Sequence, residues 1–119
     1  MKTDYFNTNK STWNEKVKIH ATSDFYDMDA FKKGETSLKH YELKALPNVS
    51  GKSMLHLQCH FGQDTLSWSR LGAKCVGVDI SDEGIKLAQT LNNDLFLNAK
   101  FVCCNVLDTS KHISATFDI

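Results

Sequence analysis

The sequence predicts an α/β fold: a mainly parallel sheet with flanking helices. Three observations carry that reading. Apolar runs at Ser53–Leu57, at 75–78 and at 100–106 have the length and composition of buried strands. Between them, apolar residues recur at helical spacing. The junctions carry matching punctuation: Gly72 stops the first helix, and Ser81 caps the second. Strands alternating with helices imply crossovers that pack back on the sheet in one usual hand.

Composition narrows the class. The chain has 119 residues, which allows one small domain. Its hydrophobic fraction of 41% and aromatic fraction of 10% are globular values. Fourteen basic and fourteen acidic residues cancel. No basic stripe offers the electrostatic footprint of a nucleic-acid binder. No secretory leader is recognisable, and no apolar run reaches the roughly 18 residues of a membrane helix. The expectation is a soluble, cytoplasmic protein. The four cysteines, Cys59, Cys75, Cys103 and Cys104, form no CxxC pair. They read as small hydrophobes kept reduced rather than as disulfides or zinc ligands.

The first 51 residues read as a helical and lid segment. Residues 1–11 are polar and expected to be mobile. Residues 12–20 fit a short helix with Trp13, Val17 and His20 on one side. Residues 21–34 crowd Phe25, Tyr26, Met28 and Phe31 among acids. Two readings stand: a hydrophobic flap over the core edge, or a lid offering aromatic faces to a ligand. Residues 35–46 look helical, with Leu38, Tyr41 and Ala45 on one face and Leu46 beside it. Pro47 ends that helix, and residues 48–52 turn into the first strand.

Residues 52–119 read as one unit. The first strand, Ser53–Leu57, is interrupted by His56, and a loop follows at 58–63. Residues 64–71 form a helix carrying Leu66, Trp68 and Leu71. The second strand closes on Asp79. Asp82 and Glu83 then occupy a first helical turn, where the helix dipole favours acids. Ile85, Ala88 and Leu91 mark that helix's buried face as far as Asn92. Leu95, Phe96 and Leu97 are expected to pack back on the helix. The third strand runs over 100–106, a polar loop follows, and residues 117–119 begin a fourth strand. The pattern breaks off there, so the chain reads as the front half of a larger sheet, apparently truncated after the third strand. An uncovered sheet edge is a route to self-association.

This connectivity puts the 58–63 loop and Asp79 side by side at the carboxyl edge, where open α/β sheets bind ligands. Of the loop residues QCHFGQ only Gly62 is glycine, so Gln58 and His60 adopt a tight turn less cheaply. Asp79 can accept both hydrogen bonds of a ribose diol; the competing role is capping the next helix, which Ser81 fills better. Asn105 has a donor and an acceptor for an adenine edge, or it is a turn asparagine. His56, Cys59 and His60 invite a zinc reading, but His56 and Cys59 point to different faces, so no metal is expected. A Cys59–His nucleophile lacks an orienting partner.

The stretch MLHLQCHFGQDTLSWSRLGAKCVGVDIS resembles motif I and the following acidic motif of class I S-adenosylmethionine-dependent methyltransferases. It is similar to a bacterial subgroup with HLQCHFG at motif I. The segment WNEKVKIHATSDFYDMDAFKKG resembles that subgroup's N-terminal region. His56 stands where the family usually has an acid, Gln58 and His60 at the first two glycines of GxGxG, and Gly62 at the third. The resemblance implies a Rossmann-like fold, S-adenosylmethionine as cofactor and methyl transfer to an unidentified small-molecule acceptor. It implies Asp79 on the ribose hydroxyls, with Ile80 next to it also touching the cofactor. Asn105 and Val106 then lie beside the adenine, and Gln58, Cys59, His60 and Gly62 under the methionine part. No residue stands out as a general base. Two rivals remain. One is a dinucleotide-binding oxidoreductase half, disfavoured because a pyrophosphate wants a GxGxxG turn. The other is a non-catalytic, truncated interaction module.

Overall fold

Three strands, β1 (Ser53–Leu57), β2 (Lys74–Asp79) and β3 (Lys100–Cys103), form one sheet in the order β1-β2-β3. This computed structural model describes residues 2–21 and 28–119, with side chains for 7–16 and 28–119. Both strand pairs are parallel, with Leu57 opposite Val78 and Asp79 opposite Cys103. The three strands therefore end almost level. The chain end lies along the other side of β1: the Leu55 N–H donates to the Ile119 carbonyl at 3.1 Å, and the Ile119 N–H to the Ser53 carbonyl at 3.1 Å. β1 thus lies between β2 and the chain end, and its carboxyl end is where a topological switch point would fall were a strand to continue on that side. The expected Rossmann-like arrangement is present; residues 117–119, where the sequence places the start of a fourth strand, bond to β1 through Asp118 and Ile119 without forming a strand of the sheet.

Helix α4 (Gln63–Arg70) joins β1 to β2, and α5 (Asp82–Asp94) joins β2 to β3. In α4, Leu66 and Trp68 are buried; in α5, Ile85, Ala88 and Leu91 are. Ser81 caps α5 as expected, its hydroxyl accepting the Gly84 N–H at 2.9 Å. The core joins these helix faces to Met54, Cys75 and Phe101.

Several elements depart from the sequence reading. The first helix, α1, runs from Lys2 to Ala21, well before the expected start at residue 12. Residues 7–11 are polar and carry no apolar stripe that would extend the expected helix backwards. Lys10, Trp13 and Asn14 share one helical face and dock it through polar and aromatic contacts. A short helix α2 (Met28–Lys32) lies inside the 21–34 segment, and α3 covers only His40–Ala45. Residues 35–39 are not helical because their polar groups bond elsewhere. The Ser37 N–H donates to the Ser67 hydroxyl at 3.1 Å, and the Ser37 hydroxyl donates to the Asp64 carboxylate. Tyr41 is 70% exposed, while Leu43 and Leu46 pack on the core instead.

Strand β3 stops at Cys103 rather than at Val106. Asn105 accepts the Leu107 N–H at 3.0 Å and opens a 3-10 turn, Val106–Asp108, followed by α6 (Thr109–His112). After α5, Leu95 and Leu97 pack back as expected, but Phe96 is left-handed (φ +56°) and 96% exposed. Leu71, at the end of α4, is also exposed rather than core. Cys59, Cys75 and Cys104 are buried; Cys103 is not. Among the described residues, no helix is long and apolar enough to cross a membrane.

Candidate functional site

The loop after β1 takes a shape made for glycine. Gln58 (φ +56°) and His60 (φ +58°) are both left-handed, at the two positions where a GxGxG loop has its first glycines. Non-glycine residues held so cost of order 1–3 kcal/mol each and persist only where surroundings over-determine them. Three hydrogen bonds do so here. The Cys59 N–H donates to the Val78 carbonyl at 2.9 Å, and the Gly62 N–H to the Cys59 carbonyl at 2.9 Å. The His60 N–H donates to the Asp79 carboxylate at 2.7 Å.

Gly62 serves packing. It is left-handed (φ +84°) at the start of α4, and a Cβ there would meet Ala88 at 2.8 Å and Phe101 at 2.9 Å. The loop is thereby pressed against α5 and β3. The same residue closes the turn and seats the helix, as the last glycine of such loops does.

Asp79 is 8% exposed and has two partners. One oxygen accepts the His60 N–H at 2.7 Å, the other the Ser81 N–H at 2.9 Å. A carboxylate offers about four lone-pair sites, so about two remain for a ligand diol. Asp79 thus steadies both the loop and the entry to α5, while Ser81 supplies the helix cap.

The other sequence-derived positions sort by what their groups can reach. Cys59 points its side chain into the core, where a Cβ on Gly77 would meet its Sγ at 3.0 Å. Burial, aided by the Asp79 charge, pushes its thiol far above the ordinary range. It is no nucleophile, and only its backbone faces the loop. His56 bonds through Nδ1 to the Thr65 hydroxyl of α4. Burial lowers its pKa against the opposing pull of Asp64, Glu42 and Asp79, which disfavours the charged ring at this position. Ile80 is half-buried, and its carbonyl accepts the Cys103 thiol at 3.6 Å. The Cys104 N–H donates to the Asp79 carbonyl at 3.0 Å, drawing the turn of Asn105 and Val106 to the same edge. Asn105 spends its oxygen on that turn and keeps its amide donors.

Phe31 is 2% exposed and belongs to the core, with the Arg70 guanidinium 4.4 Å from its ring. This burial is what the flap reading expects of Phe31; Phe25 and Tyr26 lie outside the described residues. Among the described residues, no group of three or more His, Cys, Asp or Glu could hold a metal ion.

Sequence reasoning expected the helix at 12–20, which α1 contains, but missed its start at Lys2 and its docking onto the site. Its Trp13 ring meets the His60 ring edge-on at 5.8 Å between centroids. Asn14 donates to Asp82 at 2.8 Å and accepts from the Ser81 hydroxyl and, at 3.4 Å, from the Glu83 N–H. Lys10 adds an ion pair to Asp82 at 3.8 Å. The spacing of Lys10, Trp13 and Asn14 was the available signal, but a polar docking face leaves no trace in apolar periodicity.

The family described as methyltransferase domain matches residues 55–119, from β1 through the loop, Asp79 and Asn105 to the chain end. The chain belongs to this methyltransferase family. Solved structures agree on the fold. TehB from Haemophilus influenzae superposes with a TM-score of 0.64 at 20% identity, over 79% of this chain and 32% of TehB. Phosphoethanolamine N-methyltransferase 1 from Haemonchus contortus, solved with phosphoethanolamine and S-adenosylhomocysteine, gives 0.60 at 16% identity, over 86% and 21%. Magnesium protoporphyrin IX methyltransferase (ChlM) from Synechocystis PCC 6803, solved with bound SAM, gives 0.50 at 17% identity, over 78% and 54%. This methyltransferase chain spans about a third of TehB's length. No curated protein matches it.

Proposed function

We propose that this methyltransferase domain binds S-adenosylmethionine at the carboxyl edge of its sheet and serves methyl transfer to a small-molecule acceptor. One observation supports this above the others: the 58–62 loop keeps the left-handed turns of a glycine loop, and its His60 N–H is bonded to Asp79 on the neighbouring strand. The residues fit the cofactor. The remaining lone pairs of Asp79 suit the two ribose hydroxyls, and the Asn105 amide donors suit an adenine edge. Ile80 and Val106 flank those positions, and the loop backbone at Gln58, Cys59 and His60 lies toward the methionine end.

The bound cofactor would supply a methyl on a sulfonium; its transfer breaks that S–C bond and forms one to the acceptor. The protein's share is alignment and exclusion of water. The buried His56 and the raised Cys59 thiol take no part as nucleophile or base on this account. A small-molecule acceptor is in keeping with the two neighbours whose acceptors are named, phosphoethanolamine and magnesium protoporphyrin IX. Cysteines that are all free fit a reducing, cytoplasmic compartment.

Thermal shifts with S-adenosylmethionine, S-adenosylhomocysteine and NAD test the reading, since a ligand that binds the native state raises its melting temperature. Stabilisation by the first two but not by NAD is expected. Stabilisation by NAD alone would favour the dinucleotide reading, and by none the non-catalytic one.

A further inference from the structure

We propose that His60 is a positioning residue that ties helix α1 to Asp79, making α1 a gate over the Asp79 end of the site. Its final step rests on the cofactor reading; the tie itself does not.

His60 is joined on two sides. Its backbone N–H reaches the Asp79 carboxylate at 2.7 Å, and its ring meets Trp13 of α1 edge-on at 5.8 Å. A glycine at position 60 would take the left-handed conformation without strain. The imidazole therefore carries a strain that its ring contacts, with Trp13 and with Phe61 at 4.6 Å, help to offset. The second anchor of α1 is Asn14, on Ser81, Asp82 and Glu83. In the chain these residues begin two places after Asp79. The two anchors thus bracket the carboxylate, which is 8% exposed with α1 docked. A ligand reaching Asp79 has to pass the bracket, so α1 undocks for entry and for exit.

Hydrogen exchange of the α1 amides in the ligand-free protein tests the tie. Trp13→Ala and His60→Gly each remove the ring contact. Aromatic pairs of this kind correspond to about a two- to tenfold change in the opening equilibrium. Each variant should therefore speed α1 exchange by about that factor. The double variant should be no faster than the faster single one, and His60→Phe, which keeps an aromatic edge, should restore protection. Unchanged exchange in the single variants, or fully additive effects, would overturn the tie even if every variant stays folded.

Stopped-flow binding of S-adenosylhomocysteine tests the gate. Trp13→Ala should raise association and dissociation rates together by a similar factor. Rates equal to the parent's, with α1 exchange raised, would overturn the gate. If the parent binds no S-adenosylhomocysteine at all, the cofactor reading fails and the gate with it. The ligand-free exchange experiment still decides the tie.

Discussion

The backbone N–H of His60 donates to the carboxylate of Asp79 at 2.7 Å, joining a left-handed loop residue to the end of the neighbouring strand. Hydrogen bonds to charged groups contribute roughly 1.5–3 kcal/mol each. Asp79 also accepts the Ser81 N–H. Asp79→Ala, which strips both acceptors from a buried position, should lower stability by about 3–6 kcal/mol in urea unfolding. Asp79→Asn keeps the shape and one acceptor and should fall between. A parent-like midpoint for Asp79→Ala would show that the loop holds its shape without the carboxylate.

Gly62 and Gly51 separate strain from crowding. Both are left-handed, at φ +84° and +78°, but a Cβ at Gly51 meets nothing within 4 Å, whereas one at Gly62 meets Ala88 at 2.8 Å. Gly51→Ala should cost about 1 kcal/mol, from conformation alone. Gly62→Ala should cost about 1–3 kcal/mol more, from overpacking against α5 and β3. Equal losses would mean that the loop is free to lift off the sheet.

His56 makes stability pH-dependent. Burial lowers its folded pKa below the ordinary 6.5, so the unfolded chain takes up a proton that the folded one resists. The resulting stability is fully present above pH 6.5. It falls as pH drops from there through the folded pKa, then levels off. His56→Asn, which keeps an acceptor near Nδ1, should show a shallower decline as pH falls below 6.5. Parallel curves for the two proteins would contradict this assignment.

Arg70 straps the 31–38 segment to α4. It donates to the Phe31 carbonyl at 2.7 Å and to the Glu35 carbonyl at 3.1 Å, and stacks on the Phe31 ring. A lysine cannot reproduce the fork or the stacking. Both Arg70→Lys and Arg70→Ala should speed exchange of the Gly34 and Glu35 amides while leaving the β2 amides unchanged. Their stability loss should be about 1–2 kcal/mol, the worth of two hydrogen bonds of ordinary strength. Uniform acceleration across the sheet would mean that Arg70 holds the whole fold rather than the strap.

The sheet, its two crossovers and the place of Asp79 were legible because apolar runs and the Ser81 cap report local preferences that packing did not override. The boundaries of β3 and α3 were not. Asn105 ends the strand by bonding Leu107, and Ser37 leaves the helix to bond Asp64 and Ser67. Both are side-chain choices that apolar periodicity cannot register. Gln58 and His60 were read as obstacles to a glycine turn, yet both adopt it. Two of the three bonds that hold them there come from β2, remote in sequence. Helix α1 was legible only over residues 12–20; its earlier turns and its docking through Trp13 and Asn14 leave no apolar stripe to read. Phe96 shows the reverse: its residue type pointed to burial, and its left-handed backbone turns it out.

The central claim is that the edge bearing Asp79 holds S-adenosylmethionine. Calorimetric titration of S-adenosylhomocysteine into the parent, Asp79→Asn, Asp79→Ala and Asp94→Ala, each first shown by circular dichroism to be folded, tests it most directly. Asp94 lies at the far end of α5 and serves as the control. The parent should bind, and Asp79→Ala should weaken binding by about tenfold or more, a loss of roughly 1.4 kcal/mol. Asp79→Asn should lose less, and Asp94→Ala should stay within about twofold of the parent. A folded parent that takes up no ligand, or a folded Asp79→Ala that binds as the parent does, would contradict the account.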